Sequence, residues 1–282
     1  MKYYLNGKVA AYDRRQKKYY VCQSLDGRES QKSHYGTGSA NEQVRYYFET
    51  FAALRERSFD LAVEHIAALT AGRKVSVLDI GSSYGLFLKK VRDHGWEGVG
   101  IEPSRNEASF SRAEFGLEIF ETTIEDFASD REWDVITLWD VFEHLPNPQP
   151  VLEKIRTMLS DEGTLVIRVP NARGLVHRLS FLAYAVSLGR FSFPVKKLFE
   201  NHEYIYTQSA LDEELQAAGF RRLRAYGEPF LIPKAALIKK KSYLVNKPKP
   251  IQIGVSHLLA STLRLASLLA MDDSLVVYFG RK

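Results

Sequence analysis

Residues 79–85, Asp-Ile-Gly-Ser-Ser-Tyr-Gly, place a carboxylate, two serine hydroxyls and two glycines within one short span, the chemistry of a backbone cradle for a polar ligand. Gly81 and Gly85 permit positive φ and a close approach of the main chain, and the N–H groups that open a following helix are unpaired donors. The preceding Val75-Ser-Val-Leu is apolar and β-branched, so Asp79 falls at the carboxyl end of a strand. About twenty residues on, Gly98-Val-Gly-Ile-Glu102 reads as a second short strand whose terminal carboxylate can take both hydroxyls of a ribose.

Two ligands suit that arrangement. A nicotinamide dinucleotide calls for G-x-G-x-x-G, with a pyrophosphate on the helix N-terminus. Here the spacing is G-x-x-x-G, with Ser83 where the middle glycine belongs. An acid beside the turn also suits a ligand with a positive group better than a bare pyrophosphate.

Further along, Trp133-Asp-Val-Ile-Thr-Leu-Trp-Asp-Val-Phe-Glu-His-Leu-Pro-Asn-Pro148 resembles the fourth-strand motif of class I S-adenosylmethionine (SAM)-dependent methyltransferases. Met158-Leu-Ser-Asp-Glu-Gly-Thr-Leu-Val-Ile-Arg-Val-Pro-Asn171 resembles their fifth-strand motif, and the late Leu211-Asp-Glu-Glu-Leu-Gln-Ala-Ala-Gly-Phe220 follows in the same order. The resemblance spans residues 58–228 and is nearest to the subgroup of ubiquinone-biosynthesis-type O-methyltransferases and some sugar methyltransferases. It implies an enzyme of α/β class, with a Rossmann-like, seven-stranded, mostly parallel sheet whose last strand is antiparallel, and SAM as cofactor. Asp79, Gly81, Ser82, Ser83, Tyr84 and Gly85 would then shape the methionine pocket, and Glu102 with Pro103 would hold the ribose. The loop with Thr123, Ile124 and Glu125 would lie along adenine, although the family more often has an acid where Thr123 stands. Glu125 and Asp126 also suit a plain helix cap. Trp139 and Asp140 would close the fourth strand at the cofactor. An NAD-linked oxidoreductase and a non-catalytic SAM-fold binding module are the remaining alternatives.

Methyl transfer is an in-line displacement, so the protein must align donor and acceptor and remove a proton when the acceptor is a hydroxyl. Asp140, His144 and His202 are the candidate catalytic residues, with His177 a further histidine in a basic insertion; for each histidine a structural role competes. Glu143 beside His144 could bind a divalent ion, but two adjacent residues are a weak metal signal, and no metal is assigned. The Asn-Pro-Pro-Tyr sequence of methyltransferases acting on planar nitrogens is absent, which argues against nucleic-acid N6 and glutamine-type targets, and the resemblance implies O-methylation of a small-molecule or lipid-linked acceptor. C-methylation of a nucleotide-linked sugar is the alternative. Glu102→Ala is expected to weaken SAM binding with little effect on folding.

Strands are expected near residues 75–80, 98–102, 117–121, 134–139, 163–169, 220–226 and 274–280, with helices between most of them, and a helix from about residue 58 to 69 ahead of the first. Residues 1–57, which hold eight of the fifteen tyrosines, read as a small cap of short strands, and residues 58–282 as the SAM-binding domain with insertions at 172–199 and 229–271. The single Cys22 and the lack of a signal peptide point to a cytoplasmic protein. Of the net charge of +5, residues 163–199 carry +6 and residues 229–271 carry +7 with no acid in either, leaving −8 for the rest. Both basic segments contain apolar helical stripes: Leu175, Leu179, Leu182 and Val186 in one, Val255, Leu258, Leu259, Leu265 and Leu269 in the other. That combination fits peripheral contact with an anionic membrane, and equally a roof over the substrate pocket or a homodimer contact. Nucleic acid is not an expected partner, because the body is acidic and no aromatic-interleaved basic groove occurs.

Overall fold

The computed structural model describes residues 2–5, 8–13, 18–24, 44–45, 47–48, 52–187, 190, 202–228 and 272–282. The insertion at 229–271 and its expected amphipathic helix therefore lie outside the described residues, as does most of 188–201.

Seven strands form the central sheet: β4 (Ser76–Ile80), β5 (Glu97–Ile101), β6 (Glu118–Phe120), β7 (Trp133–Trp139), β8 (Leu159–Pro170), β10 (Phe220–Glu228) and β11 (Ser274–Arg281). Their spatial order is β10-β11-β8-β7-β4-β5-β6. Neighbours from β8 to β6 are parallel, while β11 runs antiparallel between β8 and β10. Each expected strand is present, and the last is inserted antiparallel beside the sixth. The order reverses between β4 and β7, so the carboxyl ends of β4, β5 and β7 open on one crevice, where ligands of such sheets bind.

Helices cover both faces. The period-2 alternation of β4, β7 and β8 sends Leu78, Ile80, Ile136, Leu138 and Ile167 to one side, against α4 (Pro148–Met158) and α6 (Gln208–Ala217). Val77, Val135 and Val166 go to the other side, against α1 (Ala53–Leu69) and α2 (Leu86–Asp93). Helix α2 is amphipathic, with Phe87, Leu88 and Val91 buried and Lys89, Lys90 and Arg92 outward. Pro148 opens α4, where a missing N–H costs nothing, and Thr207 caps α6 by accepting from Ala210 N at 3.2 Å. Helix α3 (Arg105–Phe115) ends at Gly116 in the left-handed conformation. Helix α1 begins at Ala53, ahead of the expected start at residue 58.

At the N-terminus, β1 (Lys2–Leu5), β2 (Lys8–Asp13) and β3 (Lys18–Ser24) form an antiparallel meander. It does not stand apart: β3 pairs with the short β9 (Tyr204–Ile205), which begins two residues after His202. The N-terminal strands are thereby tied to the mouth of the crevice.

In the basic insertion, helix α5 (Leu175–Val186) buries His177, Ser180 and Phe181, whereas Leu179, Leu182 and Val186 are 53%, 59% and 76% exposed. The apolar stripe thus faces outward. No helix among the described residues is long and apolar enough to cross a membrane.

Candidate functional site

The crevice is built around the turn that joins β4 to α2. Gly81 and Gly85 both have φ of 73°, and Ser83 between them has φ of 50°. A Cβ on Gly81 would overlap the Val141 side chain, so glycine is what lets this turn close onto the loop after β7. The turn is held from the second strand, since Gly81 N and Ser82 N both donate to the Ile101 carbonyl, at 2.8 and 3.0 Å. Ser82 Oγ is buried with no hydrogen-bond partner among the described residues.

Register brings Asp79 of β4 opposite Thr137 of β7, on the same face of adjacent parallel strands. Thr137 Oγ1 donates to Asp79 Oδ1 at 2.5 Å. Asp79 is fully buried, and burial, assisted by the charge of Glu102 and opposed by the Thr137 bond, pushes its pKa up to about 7. Glu102 is likewise buried; burial first, and then the charge of Glu107, raise it to about 7. Two carboxylates at the ends of adjacent strands are therefore short of positive charge. The Gly81 cradle, the buried acids and the unpartnered Ser82 hydroxyl together suit a ligand with both a cationic group and vicinal hydroxyls, as SAM has.

The remaining residues expected at the cofactor divide into two groups. Ile124 is buried and Thr123 half-buried, with Thr123 Oγ1 receiving Asp126 N at 3.4 Å, so the loop is shaped as a capped turn. Pro103 and Glu125 are exposed. Tyr84 lies in an aromatic cluster with Tyr47 (4.6 Å between ring centroids), Phe48 and Phe110. Trp139 packs on Phe59 and Phe87 in the core. Glu102 also departs from the expectation of a purely ligand-facing residue: Ser83 N and Ser104 N each donate to it at 2.8 Å. Its loss would leave two amides without their partner, so an effect on folding is expected after all.

Asp140 ends β7 in the left-handed region, with φ of 54°. Its two oxygens are taken by Arg55 from α1 and Arg168 from β8. Arg168 Nε also meets Glu228 Oε2 at 2.8 Å, and Ser58 Oγ meets Glu228 Oε1 at 2.6 Å. The arrangement makes Asp140 an anchor that fastens α1 and β10 to the strand ends. It also removes Arg168 from the surface basic charge expected of residues 163–199. Arg55 and Glu228 had no local sequence signal, because their partners lie far away in the chain.

The other candidate bases come together. His144 and His202 have ring centroids 5.1 Å apart, and His202 Nε2 lies 4.0 Å from Glu143 Oε1. Glu203 N donates to the Glu143 carbonyl at 3.0 Å, which brings the segment before β9 onto the loop after β7. Glu143 is completely buried, neither carboxylate oxygen has a hydrogen-bond partner on another described residue, and burial pushes its pKa up to about 7. One donor atom from each of Glu143, His144 and His202 lies within 4.8 Å of the others, close enough to hold a metal ion. The third ligand, His202, is what the sequence reading could not place. His177 is elsewhere, 3.7 Å from Asp273 under α5.

The family described as "Methyltransferase domain" matches residues 44–225. Among curated proteins, the ubiquinone biosynthesis O-methyltransferase of Actinobacillus pleuropneumoniae serotype 7 is 30% identical over 111 residues, 36% of this chain and 47% of that protein. That of Aeromonas salmonicida is 26% identical over 150 residues, 51% of this chain and 61% of that protein. The chain thus spans about half the length of the curated relatives it matches. Among solved structures, a SAM-dependent methyltransferase from Archaeoglobus fulgidus superposes with a TM-score of 0.55 at 16% identity, covering 85% of this chain and 99% of that one. The plantazolicin methyltransferase in complex with SAH, the demethylated product of SAM, gives 0.55 at 17% identity, with 87% and 91% covered. Together with the strand order, the match over residues 44–225 shows that the chain belongs to the methyltransferase-domain family, and the solved structures share its Rossmann-like fold.

Proposed function

We propose that the protein methylates a hydroxyl oxygen of a small-molecule or lipid-linked acceptor. The observation that carries this reading is the cluster of Glu143 and His144, on the loop after β7 whose Val141 meets the Gly81 turn, with His202 from the segment before β9. Asp79 and Glu102 would hold the cationic and ribose parts of SAM, which when bound supplies a methyl group on an activated sulfonium. An acceptor hydroxyl must lose its proton during transfer, and an imidazole is suited to take it near neutral pH. His202 Nε2 is the imidazole nitrogen next to Glu143, whose ionised carboxylate would stabilise the imidazolium formed. The anchored Asp140 would fix the strand end on which this loop is mounted. The name of the curated relatives, O-methyltransferase, supports oxygen as the acceptor atom.

A second reading has its own support. The three donors at mutual distances within 4.8 Å would suit a divalent cation, which would bind the acceptor oxygen and lower the pKa of its hydroxyl. Methyl transfer measured before and after chelation, with and without added Mg2+ or Zn2+, separates the two. Full activity after chelation supports the imidazole as base, whereas loss restored by metal supports the cation.

The outward stripe of Leu179, Leu182 and Val186, with exposed Arg173, Arg178 and Arg190 in the same segment, supports a peripheral meeting with an anionic surface that presents a lipid-linked acceptor.

A further inference from the structure

The match to the methyltransferase-domain family begins at residue 44, so the meander β1–β3 lies outside it. Its backbone nevertheless leads to the site. In the four-stranded sheet β1-β2-β3-β9 the last strand is only two residues long, with Ile205 opposite Tyr19 and Tyr204 opposite Tyr20. Two residues cannot hold a strand by themselves, so β9 takes its order from its neighbours.

Those neighbours lie on three sides. Toward the loop after β7, Glu203 N donates to the Glu143 carbonyl at 3.0 Å and Tyr204 Oη to the Pro146 carbonyl at 2.9 Å, while the Tyr206 ring lies 5.5 Å from that of Phe142. Toward the end of β8, Asn171 and Tyr206 form a parallel bridge, and Ala172 N donates to the Tyr206 carbonyl at 2.8 Å. The third side is β3. Ile205 is fully buried, and buried peptide groups must be paired; without β3 the backbone of β9 would be left on that side to water. A short segment with an open edge opens locally at low cost. His202, two residues before β9, would then leave its place 4.0 Å from Glu143 Oε1 and 5.1 Å from the His144 ring.

The cofactor acids are held differently. Asp79 is bonded to Thr137 of β7, and Glu102 to the amides of Ser83 and Ser104, within the central sheet and its turns. Loss of the meander should therefore fall on the acceptor's side of the reaction and spare cofactor binding.

Resting on the reading of His202 as the base, we propose that the N-terminal meander is a positioning element for methyl transfer, which completes the sheet around β9 and so holds His202 against the loop after β7. Its residues need take no proton and bind no cofactor, because they act through β9. A misplacement of about 1 Å can cost about 100-fold in rate, so this hold bears on kcat.

Two variants break the hold: a chain lacking residues 1–24, and Tyr20→Pro, which puts proline into an interior strand of the sheet. Amide hydrogen exchange reads the hold without any acceptor. Residues 203–206 should exchange at least about tenfold faster in both variants, with β4 and β7 unchanged. Kinetics with labelled SAM and a panel of phenols and alcohols, free and in vesicles, reads the consequence. The kcat should fall about 10- to 100-fold, while KM and calorimetric affinity for SAM stay within about twofold. Unchanged exchange at 203–206, or an unchanged kcat, would overturn the proposal. So would exchange raised equally in β4 and β7 with SAM binding weakened, which would make the meander a general stabilising element. If the shortened chain does not fold, Tyr20→Pro decides; if no member of the panel is methylated, exchange decides. Full kcat in His202→Gln would instead remove the base reading beneath the proposal, and would leave the exchange result as it stands.

Discussion

Glu102 serves two purposes at once, and the consequences of removing it separate them. Loss of a hydrogen bond to a charged acceptor is worth about 1.5–3 kcal/mol, so Glu102→Ala should weaken SAM binding about 10- to 150-fold by calorimetry. Because Ser83 N and Ser104 N lose their acceptor, the cofactor-free protein should also lose about 1–3 kcal/mol in urea unfolding. Asp79 behaves in the opposite sense. Burial pushes its folded pKa up to about 7, above the ordinary carboxyl value of 3.8, so the folded state holds a proton that the unfolded chain gives up. Its ionisation therefore costs stability progressively as pH rises from about 4 to about 7, and no more above that. Asp79→Asn, which keeps an acceptor for Thr137, should stabilise the cofactor-free protein by up to about 4 kcal/mol at pH 8 and by about 1–2 kcal/mol at pH 5, and abolish SAM binding. Denaturation at the two pH values checks the difference. For the Glu143–His202 pair, Glu143→Gln should lower kcat about 100-fold with KM for SAM unchanged in steady-state assays. An unchanged kcat would remove Glu143 from the chemistry. Asp79, Gly81, Gly85 and Glu102 were legible because each ends a strand or punctuates a turn.

Among the elements, the strands were the most legible, because β4, β7 and β8 carry short apolar, mostly β-branched runs, Val77-Leu78, Val135-Ile136 and Leu165-Val166-Ile167. The links between elements were not. Arg168 reads in sequence as one charge of a basic segment, whereas it joins Asp140 of β7 to Glu228 of β10, and Asp140 in turn holds Arg55 of α1. No local pattern encodes such pairings across the sheet. Arg168→Met would leave two partly buried carboxylates short of a cation. Solvent still reaches the group, so a loss of about 1–3 kcal/mol is expected rather than the full value of a buried pair. Unfolding monitored by circular dichroism tests it, and a loss below about 0.5 kcal/mol would show that the cluster does not fasten β10. Helix α1 also began earlier than its sequence suggested, since residues ahead of Ser58 are held by Arg55 and not by an apolar stripe alone.

For the whole molecule, the charge map divides into an acidic body with basic segments, and the one described in part, residues 163–187, places its apolar stripe outward. Surface binding through such a helix should be salt-sensitive, because exposed charges are screened over about 8–10 Å at 0.1–0.15 M. Flotation with anionic vesicles at low salt should carry the protein upward, and Leu182→Glu should reduce that fraction several-fold. Equal flotation of the variant would assign the contact elsewhere. The fate of the methyl group bears most directly on the proposed function. With deuterium-labelled SAM and candidate hydroxyl acceptors, free or in vesicles, mass spectrometry of the products should locate the label on oxygen, with its appearance suppressed in Glu143→Gln. Label attached to carbon or nitrogen would contradict O-methylation.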